Sequence, residues 1–161
     1  MAGEIWREYF PSIISGEQIE YMLDEFLSPE KLSEDLEQGY HSYWIIDAKD
    51  EKSGFAHVHF DHEYSMLPSL RGFFISKIYL KKDARGKGLG KLSLLDLERL
   101  AREHGSGYMY LTVNRHNRLA ISAYERRDFR IVGQAKKDIG SGYVMDDFIM
   151  VKTLIEDRGP R

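Results

Sequence analysis

Cysteine is absent from all 161 residues. Disulfides, thiolate nucleophiles, zinc–thiolate sites and iron–sulfur clusters are therefore excluded together, and a reducing, cytoplasmic setting is the simplest location. Long apolar runs are missing as well: no stretch approaches the roughly 18 residues that a membrane span requires. The N-terminal stretch MAGEIWREYFPSIISGEQIEYMLDEFLSPE carries carboxylates throughout and lacks the charged-then-apolar order of a secretory leader. Charge of one sign is also lacking, since 23 Lys and Arg face 26 Asp and Glu, for a net −3. Whole-molecule attraction to nucleic acid or to an anionic membrane is not indicated. The small acidic excess suits a cationic partner, and suits a soluble surface equally well.

What is present fits one domain with its own core: the chain is 42% hydrophobic, shows no repeat and has no low-complexity segment. We expect a domain over residues 1–155 and a loose tail over 156–161, where EDRGPR follows Ile155. Residues 4–12 and 16–27 have helical apolar spacing, with Ile19, Met22, Leu23 and Phe26 on one face and Pro11 and Gly16 breaking the run. Ser28-Pro29 reads as an N-cap and first helical residue of a third helix reaching about Gln38. From Tyr40 the period becomes alternating: HSYWIIDA, a DEKSG turn and FAHVHFDHE form a hairpin, and RGFFISKIYL a longer strand. A helix to about His104, the strand YMYLTVN, the helix NRLAISAYERR, and the strands FRIVGQAKKDI and YVMDDFIMVKTL complete an α/β chain with a mixed sheet.

Between the strand FISKIYL and the helix that follows lies RGKGLG. Its evenly alternated Gly86, Gly88 and Gly90 do not fit the G-x-G-x-x-G of dinucleotide folds. A Walker A loop fails too, because Arg85 stands where a glycine is needed and Leu92 follows Gly90-Lys91 where Ser or Thr is needed. Two readings remain, a plain strand–helix turn and a cradle in which glycine-freed N–H groups and the helix N-terminus hold an anion, with Arg85, Lys87 and Lys91 adding charge. In the next helix Leu89, Leu94, Leu97, Leu100 and Ala101 fall within about 140° of arc and are expected in the core. Asn117 is placed to cap the helix whose expected inner face is Leu119, Ala120, Ala123 and Tyr124. Tyr124, if buried there, needs a partner for its hydroxyl.

Residues 74–131 together resemble the GNAT superfamily of acetyl-coenzyme A-dependent N-acetyltransferases. The resemblance rests on FISKIYL, on R-x-x-G-x-G at Arg85, Gly88 and Gly90, and on N-x-x-A-x-x-x-Y-x-x-x-x-F at Asn117, Ala120, Tyr124 and Phe129. It extends more loosely to both ends, and within the family it is nearest to the bacterial polyamine (spermidine/spermine) acetyltransferase branch. It implies a single-domain, mixed, mostly antiparallel sheet flanked by helices, with the family's usual first strand missing from a chain that starts almost directly at IWREYF. It also implies acetyl-CoA as cosubstrate: pyrophosphate on the N–H groups of Arg85, Gly86, Lys87, Gly88, Leu89, Gly90 and Lys91, and pantetheine paired like a strand beside Ile78, Tyr79 and Leu80, with Asn117 as a side-chain partner. By the same resemblance Tyr124 stands near the sulfur as general acid, and Trp6, Tyr9, Phe10 and Ile13 line the acceptor groove or simply pack the helices.

Many relatives place a glutamate on this strand as base or water-holder, and the alignment puts Ser76 there. His57, His59 and Asp61 alternate along the preceding strand opposite Ala56, Val58 and Phe60, so His57 or His59 could accept the proton, or the two could simply lie on a solvated face. H-x-H lacks a third ligand, so no metal is expected. Without a cysteine, a thiol-linked acetyl-enzyme is ruled out, which favours direct attack in a ternary complex. The expected acceptor is a polyamine or other small cationic amine, then a peptide N-terminus or lysine, with Asp61, Glu63 or Asp24 as attracting carboxylates. The sequence leaves open a catalytically silent acyl-CoA sensor and a nucleoside-triphosphate enzyme. An open sheet edge invites pairing into a homodimer.

Overall fold

Two serines set the helical entry to the chain. In the computed structural model, which describes residues 1–65, 67 and 71–155, Ser15 Oγ accepts the Gln18 N–H to open α2 (Gly16–Leu27), and Ser28 Oγ accepts the Lys31 N–H to open α3 (Pro29–Glu37). α1 (Ala2–Tyr9) precedes them and ends in a 3₁₀ turn over Phe10–Ser12, where Pro11 cannot continue the helical hydrogen bonding. The strands are β1 (Tyr40–Ile46), β2 (Lys52–Phe60), β3 (Gly72–Leu80), β4 (Tyr108–Asn114), β5 (Arg130–Gly140) and β6 (Tyr143–Thr153), with α4 (Leu89–Glu103) after β3 and α5 (Arg118–Glu125) after β4. They form one sheet in the order β1-β2-β3-β4-β6-β5, mostly antiparallel, with β3 and β4 parallel over Gly72–Phe74 and Tyr108–Tyr110. This is the architecture expected from the sequence, with its first strand at Tyr40. The tail expected at 156–161 lies outside the described residues.

The chain divides into two compact units, one of Met1–Val58 with Ser76–Ser93, the other of His59–Ile75 with the chain from Leu94 onward. In the first, Trp6, Phe10, Phe55 and Tyr79 pack ring against ring, so Trp6 and Phe10 are core residues, while Tyr9 is half-buried. In the second, β4 and β6 pair from Tyr108↔Thr153 to Asn114↔Asp147. Residues directly opposite in such a ladder share a face. Met109, Leu111, Met150 and Lys152 therefore lie on one side, and Tyr110, Thr112, Asn114, Asp147, Ile149 and Val151 on the other. α4 covers the first side, because Glu98 takes Lys152 Nζ at 2.6 Å and Arg102 donates to the Leu154 carbonyl at 2.7 Å. Leu94, Leu97 and Ala101 of α4 are buried as expected, while Leu89 and Leu100 are only half-buried.

α5 corrects the expected inner face. Ile121 is buried, whereas Leu119 is 78% exposed and Ala123 is also exposed. The inward line of this short helix is Asn117, Ile121, Tyr124, spaced by four and then three residues. Leu119 stands about 200° from Ile121 and points outward.

Candidate functional site

The glycine turn is built by backbone conformation. Gly86 and Gly88 have φ of +72° and +82°, a region that costs an L-residue energy, and a Cβ at either would meet nothing within 4 Å. The glycines are needed for the path of the chain and leave an open concavity in front of it. That path delivers the start of α4, where Leu92 N–H bonds the Gly88 carbonyl and the N–H groups of Leu89, Gly90 and Lys91 have no intrahelical acceptor. Lys87 and Lys91 are exposed beside them. An anion such as a pyrophosphate fits these donors and the helix dipole. Arg85 does not join this group by its side chain: its guanidinium pairs with Glu8 at 2.7 Å, bonds the Leu80 carbonyl at 3.1 Å and lies over the Tyr9 ring. Arg85 therefore fastens α1 to the end of β3, and it holds the Glu8 carboxyl below its usual range.

The end of β3 also divides by direction. The Tyr79 carbonyl faces Gly54 of β2 so closely that a Cβ at Gly54 would stand 2.3 Å from it, and Lys81 N–H bonds the Ser53 carbonyl. Main-chain groups alternate along a strand, so those of Ile78 and Leu80 face the edge away from β2, and those of Tyr79 do not. Of the three residues expected to pair with pantetheine, Ile78 and the Leu80 N–H have the required direction, while the Leu80 carbonyl is taken by Arg85. Ser76 receives a hydrogen bond from Lys77 Nζ at 3.3 Å.

His57 is not on a solvated face. It is 0% exposed, stacked on Tyr40 at 5.0 Å, with Nδ1 at 2.8 Å from Ser42 Oγ and Nε2 at 3.3 Å from Asp35 Oδ2 but not aimed for a hydrogen bond. Burial and then the charge of Lys77 push its pKa down, so it is neutral at pH 7 and offers no surface to a substrate. Asp35 itself escaped notice in the sequence. Burial pushes its carboxyl up, but Lys31 at 2.7 Å together with Lys77 at 3.7 Å and His57 outweigh this and hold it below the ordinary value.

The second unit carries the remaining candidates. Asn117 is buried and its Oδ1 accepts the Ala120 N–H at 3.3 Å, which is the capping role. Tyr124 is half-buried with its ring near that of Phe129. His59 donates from Nδ1 to the Phe60 carbonyl, which leaves Nε2 as its basic nitrogen. Asp61 is bound by Arg71 at 2.6 Å and by His104 at 3.1 Å, so its charge is already matched within the chain. Two groups were missed. His62 bonds Tyr110 within a stack that includes Phe74. Asp147 is buried beside Thr112, its pKa raised to about 6 by burial and by Asp146. The signal for Asp147 was a pair of acids in the otherwise apolar YVMDDFIMV, since alternation must turn one of them inward.

Among the described residues no group of three or more His, Cys, Asp or Glu is placed to hold a metal ion, and no helix is long and apolar enough to cross a membrane. The model of the Acetyltransferase (GNAT) family matches residues 2–129. The chain belongs to this family. It is thus an acetyl-CoA-dependent N-acetyltransferase, and its sheet is the GNAT sheet. An uncharacterized N-acetyltransferase from the pepI 3′ region of Lactobacillus delbrueckii subsp. lactis is 23% identical over 96% of this chain and 89% of its own length. An L-methionine sulfoximine/L-methionine sulfone acetyltransferase of Pseudomonas paraeruginosa is 32% identical over 60% of this chain and 55% of its own length. Among solved structures, the PaiA N-acetyltransferase of Thermoplasma acidophilum in complex with coenzyme A superposes with a TM-score of 0.72. That pair is 25% identical over 94% of this chain and 87% of the neighbour.

Proposed function

We propose that this GNAT enzyme transfers acetyl from acetyl-CoA to the primary amine of a small cationic acceptor, a polyamine or similar amine, by direct attack in a ternary complex. The observation that carries the reading is the glycine turn, where Gly86 and Gly88 at positive φ bring the open N–H groups of Leu89, Gly90 and Lys91 and two lysines to one exposed concavity. These groups suit the pyrophosphate of coenzyme A, and the outward main-chain groups of Ile78 and the Leu80 N–H suit its pantetheine. Bound there, acetyl-CoA supplies an activated acyl group.

The chemistry asks two things of the chain. An alkylammonium of pKa about 10.4 must lose a proton before it attacks, and a thiolate of pKa about 8.5 leaves more easily when protonated. Tyr124 is assigned the acid. The base is His59 Nε2, directly or through water, because His57 is sealed inside the first unit and Ser76 has no basic group. A peptide N-terminus or lysine is the second choice of acceptor. A silent acyl-CoA sensor draws its only support from Ser76 standing at the glutamate position.

Titration with acetyl-CoA by calorimetry, followed by release of free thiol with a panel of amines, tests the reading. Binding together with turnover that falls at least about tenfold in Tyr124→Phe is the expected result. Binding without turnover on any amine leaves the sensor, and full activity of Tyr124→Phe removes Tyr124 as the acid. No binding at millimolar coenzyme A removes the proposed cofactor cradle.

A further inference from the structure

Two carboxylates are buried among the described residues, and their surroundings differ in kind. Asp35 has Lys31 and Lys77 against it. Asp147, 6% exposed in the middle of β6, has a hydrogen bond with the Thr112 side chain and, among the described residues, makes no ion pair with any Lys, Arg or His. Arg115, on the turn after β4, pairs with Asp146 at 3.5 Å instead. A buried charge is ordinarily matched by an opposite one, and an unmatched one is expensive to keep. A carboxylate also offers about four lone-pair positions, of which Thr112 fills one.

The ladder shows what surrounds the open positions. Asp147 lies opposite Asn114 and shares its face with Thr112 and Tyr110, on the side of the sheet that α4 does not cover. Tyr110 lies opposite Phe74 of β3, and His62 stacks on Phe74, so this face has aromatic rings at one end and a carboxylate at the other. Aromatic faces favour an alkylammonium, and a desolvated carboxylate favours it more.

We propose that Asp147 is the counter-ion for a cationic group of the acceptor, so that the enzyme selects amines carrying a second ammonium besides the one that is acetylated. This specificity role rests on the acetyl-transfer reading above. Asp147 neither donates nor takes the transferred proton; it holds the far end of the substrate.

The test compares 1,4-diaminobutane with butylamine, equal in carbon chain and different by one charge, in the wild-type protein and in Asp147→Asn. Calorimetric binding of acetyl-CoA to both proteins is measured alongside. The wild type is expected to favour the diamine in kcat/KM. In Asp147→Asn the ratio of the two kcat/KM values should fall about thirtyfold or more, mainly through KM of the diamine, as when one member of a buried charge pair is removed. Thr112→Val, which removes the hydroxyl and keeps the carboxylate, should retain a preference for the diamine. A ratio that does not move in Asp147→Asn overturns the proposal, and so does an equal loss of kcat on both amines, the mark of a general base. A wild type that acetylates both amines equally well overturns it while leaving the acetyl-transfer reading intact. A wild type that fails to bind acetyl-CoA overturns both.

Discussion

Asp147→Asn should make the folded protein more stable at pH 8 and leave it nearly unchanged at pH 4. The carboxyl titrates at about 6 in the folded chain against an ordinary 3.8. A folded value raised above the unfolded one gives a contribution that is fully present below about pH 4. It is lost as pH rises to about 6, because over that window the unfolded chain ionises and the folded chain does not. About two pKa units at about 1.36 kcal/mol each correspond to about 3 kcal/mol forgone above pH 6. Asparagine keeps the size of the side chain and an oxygen for Thr112, and it does not titrate, so this loss is absent from the variant. Any change in the Thr112 hydrogen bond, about 1 kcal/mol or less, enters equally at both pH values and cancels in the comparison. With a urea m-value of about 2 kcal/mol/M, the unfolding midpoint of the variant should exceed that of the wild type by about 1.5 M more at pH 8 than at pH 4. Other carboxylates titrate alike in both proteins and drop out of the difference. If the gap does not open between pH 4 and pH 6, or if the variant is the less stable at pH 8, Asp147 is not an uncompensated buried charge and the counter-ion argument fails with it.

Asp35→Ala should cost about 3–5 kcal/mol in urea unfolding, because Lys77, whose side chain is 11% exposed, would lose its own carboxylate while Lys31 retains Glu34 at 3.8 Å; a loss under about 1 kcal/mol would show that this cluster is not coupled. Gly88→Ala has room for its methyl but not the conformation, so it should cost about 1–2 kcal/mol of stability and weaken acetyl-CoA binding in calorimetry, and binding equal to the wild type would remove the turn from the site. Arg71, then His104, hold the Asp61 carboxyl down at about 2, so this group stabilises the fold above about pH 4 and the contribution is lost as pH falls to about 2. Because the pair is solvent-exposed, Arg71→Gln should leave the difference in urea midpoint between pH 5 and pH 2 nearly unchanged, and a clear loss of that difference would mean that the pair is shielded from water.

Local pattern located the elements well, because each is announced by residues within itself: Pro11 and Gly16 as breaks, Ser28 as a cap, Pro29 at a first helical turn, and alternation beginning at Tyr40. The glycine turn was legible for the same reason, since a positive φ is a property of single residues. Face and burial were less so. Alternation assigned His57 and Val58 to opposite sides of β2 and was right to do so, yet His57 is buried as well, because α3 brings Asp35 over it from a distant part of the chain. Nothing in HVH announces a helix above it. The α5 face was misread because a helix of two turns gives periodicity little to average over, and one exposed leucine outweighed Ile121. The direction of the Tyr79 main chain was not legible, because it follows from which neighbour a strand pairs with, and that neighbour is β2 at Gly54.

Asp35 and Asp147 show why composition alone could not separate structure from function here. Both are aspartates, both are buried, and each sits within an amphipathic element whose pattern tolerates one polar residue. The difference lies in what the fold places against them. Asp35 is met by Lys31 from its own helix and Lys77 from β3, and its pKa goes down; removal of either partner breaks a closed set of charges. Asp147 meets Thr112 and its acidic neighbour Asp146, and its pKa goes up. A chain selected for stability alone would gain by replacing Asp147 with asparagine, since the substitution fills the same space and removes the cost of an ionised group. Keeping the carboxylate makes physical sense when its missing partner arrives from outside, and a substrate ammonium supplies the charge that the chain itself withholds.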